Sequence, residues 1–366
     1  MKNAFIAGVN DVMLEGPSLV KLIEADCDVG VLRPFNIYDG MHEGKSYIAV
    51  KNKATGKREV HRIPYNATLL PHETWLQIDQ TVERAVQAEL RAVDDLRSAG
   101  LVYNLPNGFA IQAFMTQRSS RVGTAQLAMD PQMKGVKDRP VLDTVVIPLP
   151  CIFSDWGYGA RELAVSKRGG LPLDMSSAED SARACAVLAE KMLIGNSDYD
   201  QYSYLTGTIY GYTDFGSRNT FDITDPDGIG WTPATLLGEL LAGKQGLIDD
   251  LMTGPYVLYM SPSWSQYLDD DYLSTSAGQT TSITLRKRIL EIPDFSEIRE
   301  LSQLSGWDIL IVQMKSQTVR EIIGMEFTPV QWEEQGGQVL QGRIIGILIP
   351  QIRSDYEGHC GIAHGS

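Results

Sequence analysis

The sequence predicts a mixed α+β protein with several buried strands and a few strongly patterned helices. Three observations carry that prediction. Residues 72–99 place apolar side chains at three- and four-residue intervals, as a one-sided helix requires. Residues 171–195 open with a capping box and continue as an alanine-rich stripe. Short, largely apolar runs at 256–260 and 307–313 alternate with helical segments, as in a sheet covered by helices.

Composition bounds the function. The 366 residues leave room for two or three domains. With 43% apolar and 21% charged residues, the chain reads as globular and not disordered. A net charge of −14 argues against a dominant basic face for nucleic acid. It also opposes association of like subunits at low salt, so any assembly needs apolar or main-chain contacts. The apolar stretch at 4–9 stops at Asn10 and Asp11, too short for a signal peptide. The run at 344–349 is too short to span a bilayer, so no membrane is implied. Cys27, Cys151, Cys185 and Cys360 are scattered and form no Cys-x-x-Cys, which points to reduced thiols in a cytoplasmic setting.

Residues 1–70 are irregular except for the basic stretch at 45–62, which reads as a hairpin turning near 54–56. That hairpin is either a solvated surface feature or an arm gripping a neighbouring subunit. The helix over 72–99 carries Trp75, Ile78, Val82, Val86, Leu90, Val93 and Leu96 on one face, with Gly100 closing it. Residues 109–150 open and close as strands around a polar stretch, 116–139, that has no core pattern. This is an extended two-stranded loop. A lone ribbon is marginal in water, so it is expected to lie on something, a neighbouring subunit being the obvious candidate.

Ser176-Ser177-Ala178-Glu179 caps a helix whose stripe of Ala178, Ala182, Cys185, Ala186, Ala189, Met192 and Leu193 should sit under cover, with Gly195 ending it. Residues 196–230 read as loop with short strands. Thr232 and Pro233 open a helix running to Leu251, with a break expected at Gly243 or Gly246. A strand at 256–260, a short helix after Ser261-Pro262, a helix over about 282–290 and a strand at 307–313 come next. Strands at 321–325 and 342–349 close the series, the last stopped by Pro350.

Catalytic chemistry is not visible. His359, Cys360 and His364 fit no zinc spacing, so no metal is expected. The acidic turn at 222–228 lacks the ligand alternation and closing glutamate of a calcium loop and reads as a plain turn. There is no Gly-x-Ser-x-Gly, phosphate loop or dinucleotide fingerprint. The five histidines, His42, His61, His72, His359 and His364, fall outside the strongly patterned half of the chain. No catalytic or cofactor-binding residue is assigned, and no enzyme is expected.

The order of the pieces carries a resemblance. The stretch from Leu70-Pro71-His72-Glu73-Thr74-Trp75 to Asp79 is similar to an amino-terminal arm helix, and 108–146 falls where an extended loop belongs. Arg161 to Gly170 followed by 178–196 resembles the entry into a long spine helix. Residues 204–212, 256–264 and 307–351 look like the segments after that helix. Together they cover about four-fifths of the chain and resemble the major capsid proteins of tailed bacteriophages with the Hong Kong 97-like fold, and their relatives the encapsulins. The resemblance implies an arm with hairpin and helix at 1–100 and an extended loop at 101–150. It also implies a peripheral domain with spine helix at 151–225, an axial domain at 226–335, and a C-terminal strand at 336–366 returning to the peripheral domain.

The resemblance further implies a self-assembling icosahedral head shell of hexamers and pentamers enclosing double-stranded DNA without sequence specificity. Its partners would be further copies, with portal, scaffolding and cement or decoration proteins. The setting would be the virion, assembled in the host bacterial cytoplasm. Trp75, Val82, Val86, Phe114, Arg118, Arg121, Lys134 and Lys137 are the candidate inter-subunit contacts. Some relatives cross-link a loop lysine to a neighbour's asparagine; Lys134 and Lys137 lie in that loop, but no partner is identifiable. The alternative is an encapsulin-type compartment enclosing a cargo enzyme. Encapsulins begin close to the arm helix, whereas residues 1–70 precede it here, which favours the phage capsid.

Overall fold

The computed structural model of the chain describes residues 9–13, 34–36, 46–51, 58–63, 72–120, 139–162, 175–195, 202–204, 206–228, 230–270, 272, 283–334 and 338–366. The chain divides into two compact units. The first holds 1–90, 151–188 and 325–347; the second holds 91–150, 189–324 and 348–366.

In the first unit, β1 (Val9–Met13), β2 (Pro34–Asn36), β3 (Ser46–Lys51) and β4 (Arg58–Ile63) form a sheet in the order β1-β4-β3-β2. β3 and β4 are the expected basic hairpin, paired from Ser46↔Ile63 to Lys51↔Arg58, and its turn lies outside the described residues. Helix α1 is His72–Glu89. The helix expected over 72–99 is in fact two, with α2 (Ala92–Ser98) belonging to the second unit. Ala92 and Val93, whose N–H groups would have continued the ladder, donate to the carboxylate of Glu190 at 2.6 and 3.4 Å.

Three short elements come next in the second unit: β5 (Val102–Asn104), β6 (Ala113–Ser119) and β7 (Leu142–Pro148). β8 (Ile152–Gly159) returns to the first unit, and α3 (Ser176–Ile194) starts there and ends in the second. The alanine stripe is buried throughout, as the spacing predicts: Ala178, Ala182, Cys185, Ala186, Ala189, Met192 and Leu193. Within the first unit the Ser181 hydroxyl of α3 donates to the Asp155 carbonyl of β8.

β9 (Ser203–Tyr204) and β10 (Gly207–Thr208) make a small hairpin, and β11 (Asn219–Phe221) leads to α4 (Pro233–Asp249). The Thr232 hydroxyl accepts from the Thr235 N–H, as the Thr-Pro signal predicts. The expected break in α4 is absent. Gly243 is there for contact, since a Cβ at that position would press on the Phe221 ring. β12 (Tyr256–Met260), α5 (Ser265–Leu268), α6 (Leu285–Leu290), β13 (Phe295–Glu300) and β14 (Ile309–Gln313) complete the second unit's core with β17 (Ile362–Gly365). The sheet order is β11-β17-β14-β12-β13. Leu236, Leu240 and Leu247 of α4, Ile289 of α6, Tyr256, Leu258 and Met260 of β12, and Ile309 and Ile311 of β14 fill one core with Trp264. β17 sits between β11 and β14, so the last strand is part of this sheet. The segment 336–366 is divided between the units at 347–348.

The long strands β15 (Val319–Glu334) and β16 (Val339–Ile352) have residues in both units, in a sheet ordered β5-β15-β16-β8. β16 runs through Pro350, where the sequence predicts a stop. Its ladder to β8 ends at Gly346, so beyond that point it has one partner strand and tolerates a residue without an N–H.

Candidate assembly surface

The feature without an internal explanation is the β6–β7 ribbon of the second unit. Its register runs from Ala113↔Pro148 to Ser119↔Leu142. Leu149 N–H to Gln112 carbonyl and Ser120 N–H to Val141 carbonyl extend the ladder one step at each end. Strand alternation then divides the ribbon into two faces. One is anchored. Phe114 packs on Tyr103 with centroids 5.4 Å apart, and the Arg320 guanidinium lies over both rings at 4.6 and 5.8 Å. Arg118 pairs with Asp143 at 2.6 Å and donates to the Ser354 hydroxyl at 2.9 Å. Burial, with Arg353 adding like charge, pulls the Arg320 guanidinium below its ordinary value. At its base β7 meets β10 backbone to backbone: a Cβ on Gly207 would fall 2.5 Å from the Val146 carbonyl oxygen.

The other face is uncovered among the described residues. Met115 is 68% exposed and Leu142 61%. Large apolar side chains left open on a ribbon make it a candidate interaction surface. Beside the ribbon the second unit has an open cleft of about 760 Å³, lined by Thr116, Arg118, Asp143, Tyr210, Leu251 and Tyr356 among others.

The sequence-derived contact residues do not all belong to this surface. Val82 and Val86 are buried inside the subunit, so they are unavailable to a neighbour and are corrected to core residues. Helical spacing identifies an apolar face without saying what covers it. Phe114 and Arg118 are half-buried and anchor the ribbon to its own unit. Trp75 falls in α1, its side chain outside the described part, and Arg121, Lys134 and Lys137 lie outside the described residues. Met115 and Leu142 were missed, although their place on the strands flanking a patternless loop was a usable signal.

Other possible sites resolve into structure. His364 takes a 3.4 Å contact from Arg218, while His359 sits 2.9 Å from Asp355 in a turn that Asp355 also closes through the His359 N–H. Asp355, Glu357 and His359 bring three possible ligand atoms within 4.8 Å of one another. Cys151, Cys185 and Cys360 are free thiols, and burial pushes Cys185 up to about 11 and Cys360 to about 12. Among the described residues no helix is long and apolar enough to cross a membrane.

A sequence profile of a family of unknown function, DUF6260, matches residues 65–365. The chain belongs to DUF6260. No curated protein sequence matches it. The fold of this DUF6260 chain is similar to that of solved shell proteins. One is the virus-like particle from Pyrococcus furiosus, at TM-score 0.57 and 14% identity over 80% of this chain and 100% of that one. Another is the capsid of Myoviridae phage XM1, at 0.55 and 10% identity over 73% and 90%. The capsid of a native GTA particle matches at 0.52 and 9% identity over 75% and 90%. The DUF6260 chain therefore has the Hong Kong 97-like capsid fold, as the order of its sequence segments predicts.

Proposed function

We propose that this chain is a structural shell protein, the major capsid protein of a tailed-phage head, assembling with copies of itself around double-stranded DNA. The observation that carries the reading is the ribbon: it is anchored on one face and bare on the other, with Met115 and Leu142 open to solvent. A subunit that buries this face against copies gains area at every contact. Many weak contacts repeated over a closed surface add up to a stable shell. The fold likeness to two capsids and a virus-like particle supports the same reading. Portal, scaffolding and decoration partners, and a place in the virion assembled in a bacterial cytoplasm, belong to this proposal. So do inter-subunit roles for Trp75, Arg121, Lys134 and Lys137. The acidic balance of −14 suits DNA enclosed by proximity and not gripped. Negative-stain electron microscopy and sedimentation of purified chain test it. Closed particles are expected from the full chain, and folded subunits without particles after deletion of 116–139. Normal particles from the deletion would refute the bridging role, and a lone monomer at high concentration would refute the shell.

The second reading, an encapsulin-type compartment, is favoured by the alignment to the whole of the Pyrococcus furiosus particle protein. Particle contents separate the two: packaged DNA for the first, a co-purifying enzyme for the second.

A further inference from the structure

Glu190, on α3, is 2% exposed, and among the described residues no ion pair reaches it. Its Oε1 accepts the Ala92 N–H at 2.6 Å and its Oε2 the Val93 N–H at 3.4 Å. One carboxylate thus stands where an unbroken helix would have offered the carbonyls of Ala88 and Glu89. The break between α1 and α2 is held by this side chain.

The groups around it leave its charge uncompensated. From α2, Asp95 pairs with Arg299 of β13 at 3.4 Å and accepts from the Tyr259 hydroxyl of β12 at 3.1 Å. Arg299 also pairs with Glu297 at 2.7 Å. Arg97 of α2 is bound in fork geometry to the buried Glu321 of β15, at 2.9 and 3.1 Å. Tyr212, fully buried and stacked on Tyr259 at 6.3 Å, has a hydroxyl with no hydrogen-bond partner among the described residues. Arg97 and Arg299 are therefore committed to other carboxylates, Arg91 donates to the Glu300 backbone carbonyl at 3.2 Å, and among the described residues Glu190 meets acids, phenols and apolar walls. Burial first, then the charge of Asp95, pushes its carboxyl up to about 7, although the amides of Ala92, Val93 and Arg91 pull the other way. Tyr212 and Tyr259 are raised well above their ordinary value, mainly by burial.

We infer that Glu190 is a proton-controlled clasp on the turn between α1 and α2. With the proton on, the neutral acid still accepts the Ala92 N–H through its carbonyl oxygen, and no charge is buried. With the proton released to solvent, a buried carboxylate without a cation favours any opening that lets water reach it. Linkage fixes the sign, because a group that holds its proton more tightly closed than open must drive opening when it loses the proton. The clasp works in the neutral range and is independent of whether the chain builds a shell.

Hydrogen exchange of the full chain between pH 5.5 and 8.5, corrected for intrinsic rates, reads the amides of 90–95. Protection in the wild type is expected to fall by about tenfold as pH rises through 7. Glu190→Gln, which keeps the shape and cannot ionise, should show no step. Asp95→Asn, which removes a like charge, should move the step to lower pH. A wild type without the step, or a step that survives in Glu190→Gln, overturns the clasp. If Glu190→Gln does not fold, an unmoved midpoint in Asp95→Asn overturns it equally.

Discussion

Gly108 and Gly324 meet backbone on backbone in the second unit: a Cβ placed on Gly108 falls 2.6 Å from the carbonyl carbon and oxygen of Gly324. Backbone in a paired strand cannot step aside as a side chain can. Gly108→Ala is therefore expected to cost about 2 kcal/mol or more through overpacking. Gly100 gives the contrast. Its φ is +70° but a Cβ there would touch nothing, so Gly100→Ala should cost only about 1 kcal/mol of backbone strain. Urea unfolding of the two variants checks the order, and equal losses would show that the close approach is relieved by movement.

Arg97 and Arg343 both grip a carboxylate with two nitrogens, and their environments set different values. Arg97 holds Glu321, which is almost wholly buried, whereas Arg343 holds Asp155 with both side chains more than a third exposed. Arg97→Met leaves a buried charge without its cation, a loss of about 3–5 kcal/mol. Arg343→Met should cost about 1 kcal/mol or less, and 1 M salt should reduce that further. Part of the Arg343 loss is packing, since its guanidinium lies over Phe153 at 4.6 Å and Trp332 at 5.2 Å. Thermal melts at low and high salt distinguish the two.

Glu190 also makes a statement about stability and pH. Its carboxyl is raised from 4.5 to about 7 in the folded chain. Between those values the folded subunit keeps a proton that the unfolded chain has released. The contribution is thus fully present below about pH 4.5, is lost as pH rises through 7, and is flat above. The full span is about 3 kcal/mol. Denaturation midpoints measured from pH 5 to 8 should fall in wild type more steeply than in Glu190→Gln. Parallel curves would mean that the carboxylate finds compensation when it ionises.

Local signals in the sequence were legible where the cause is local. The alanine stripe marked a covered helix because each Ala is read against its own turn, and Thr232-Pro233 announced α4 because capping is a matter of three residues. The strands at 256–260 and 307–313 stood out by being apolar on both faces. What was not legible depends on residues far along the chain. The division of 72–99 is made by Glu190, about a hundred positions later, although its place four residues after Ala186 put it on the buried face. Pro350 reads as a stop until the end of the β8 ladder is known, and Gly243 reads as a break until Phe221 is beside it. Val82 and Val86 looked like contacts for a neighbour because periodicity shows that a face is apolar and not which body covers it.

Ala186 and Leu188 test how tightly α3 is covered in the first unit. They stand two residues apart, yet Ala186 is fully buried while Leu188 is exposed by more than a third. Ala186→Phe must place a ring where the stripe leaves room for a methyl, so about 1–3 kcal/mol or more should be lost through overpacking. Leu188→Phe changes helix propensity only slightly and has solvent to turn into, so its effect should stay within about 0.5 kcal/mol. Because both substitutions put the same side chain on the same helix, a difference between them reports cover and not propensity. Equal melting temperatures for the two variants would show that the helix face at Ala186 yields, and that the small residues there are not needed for close approach.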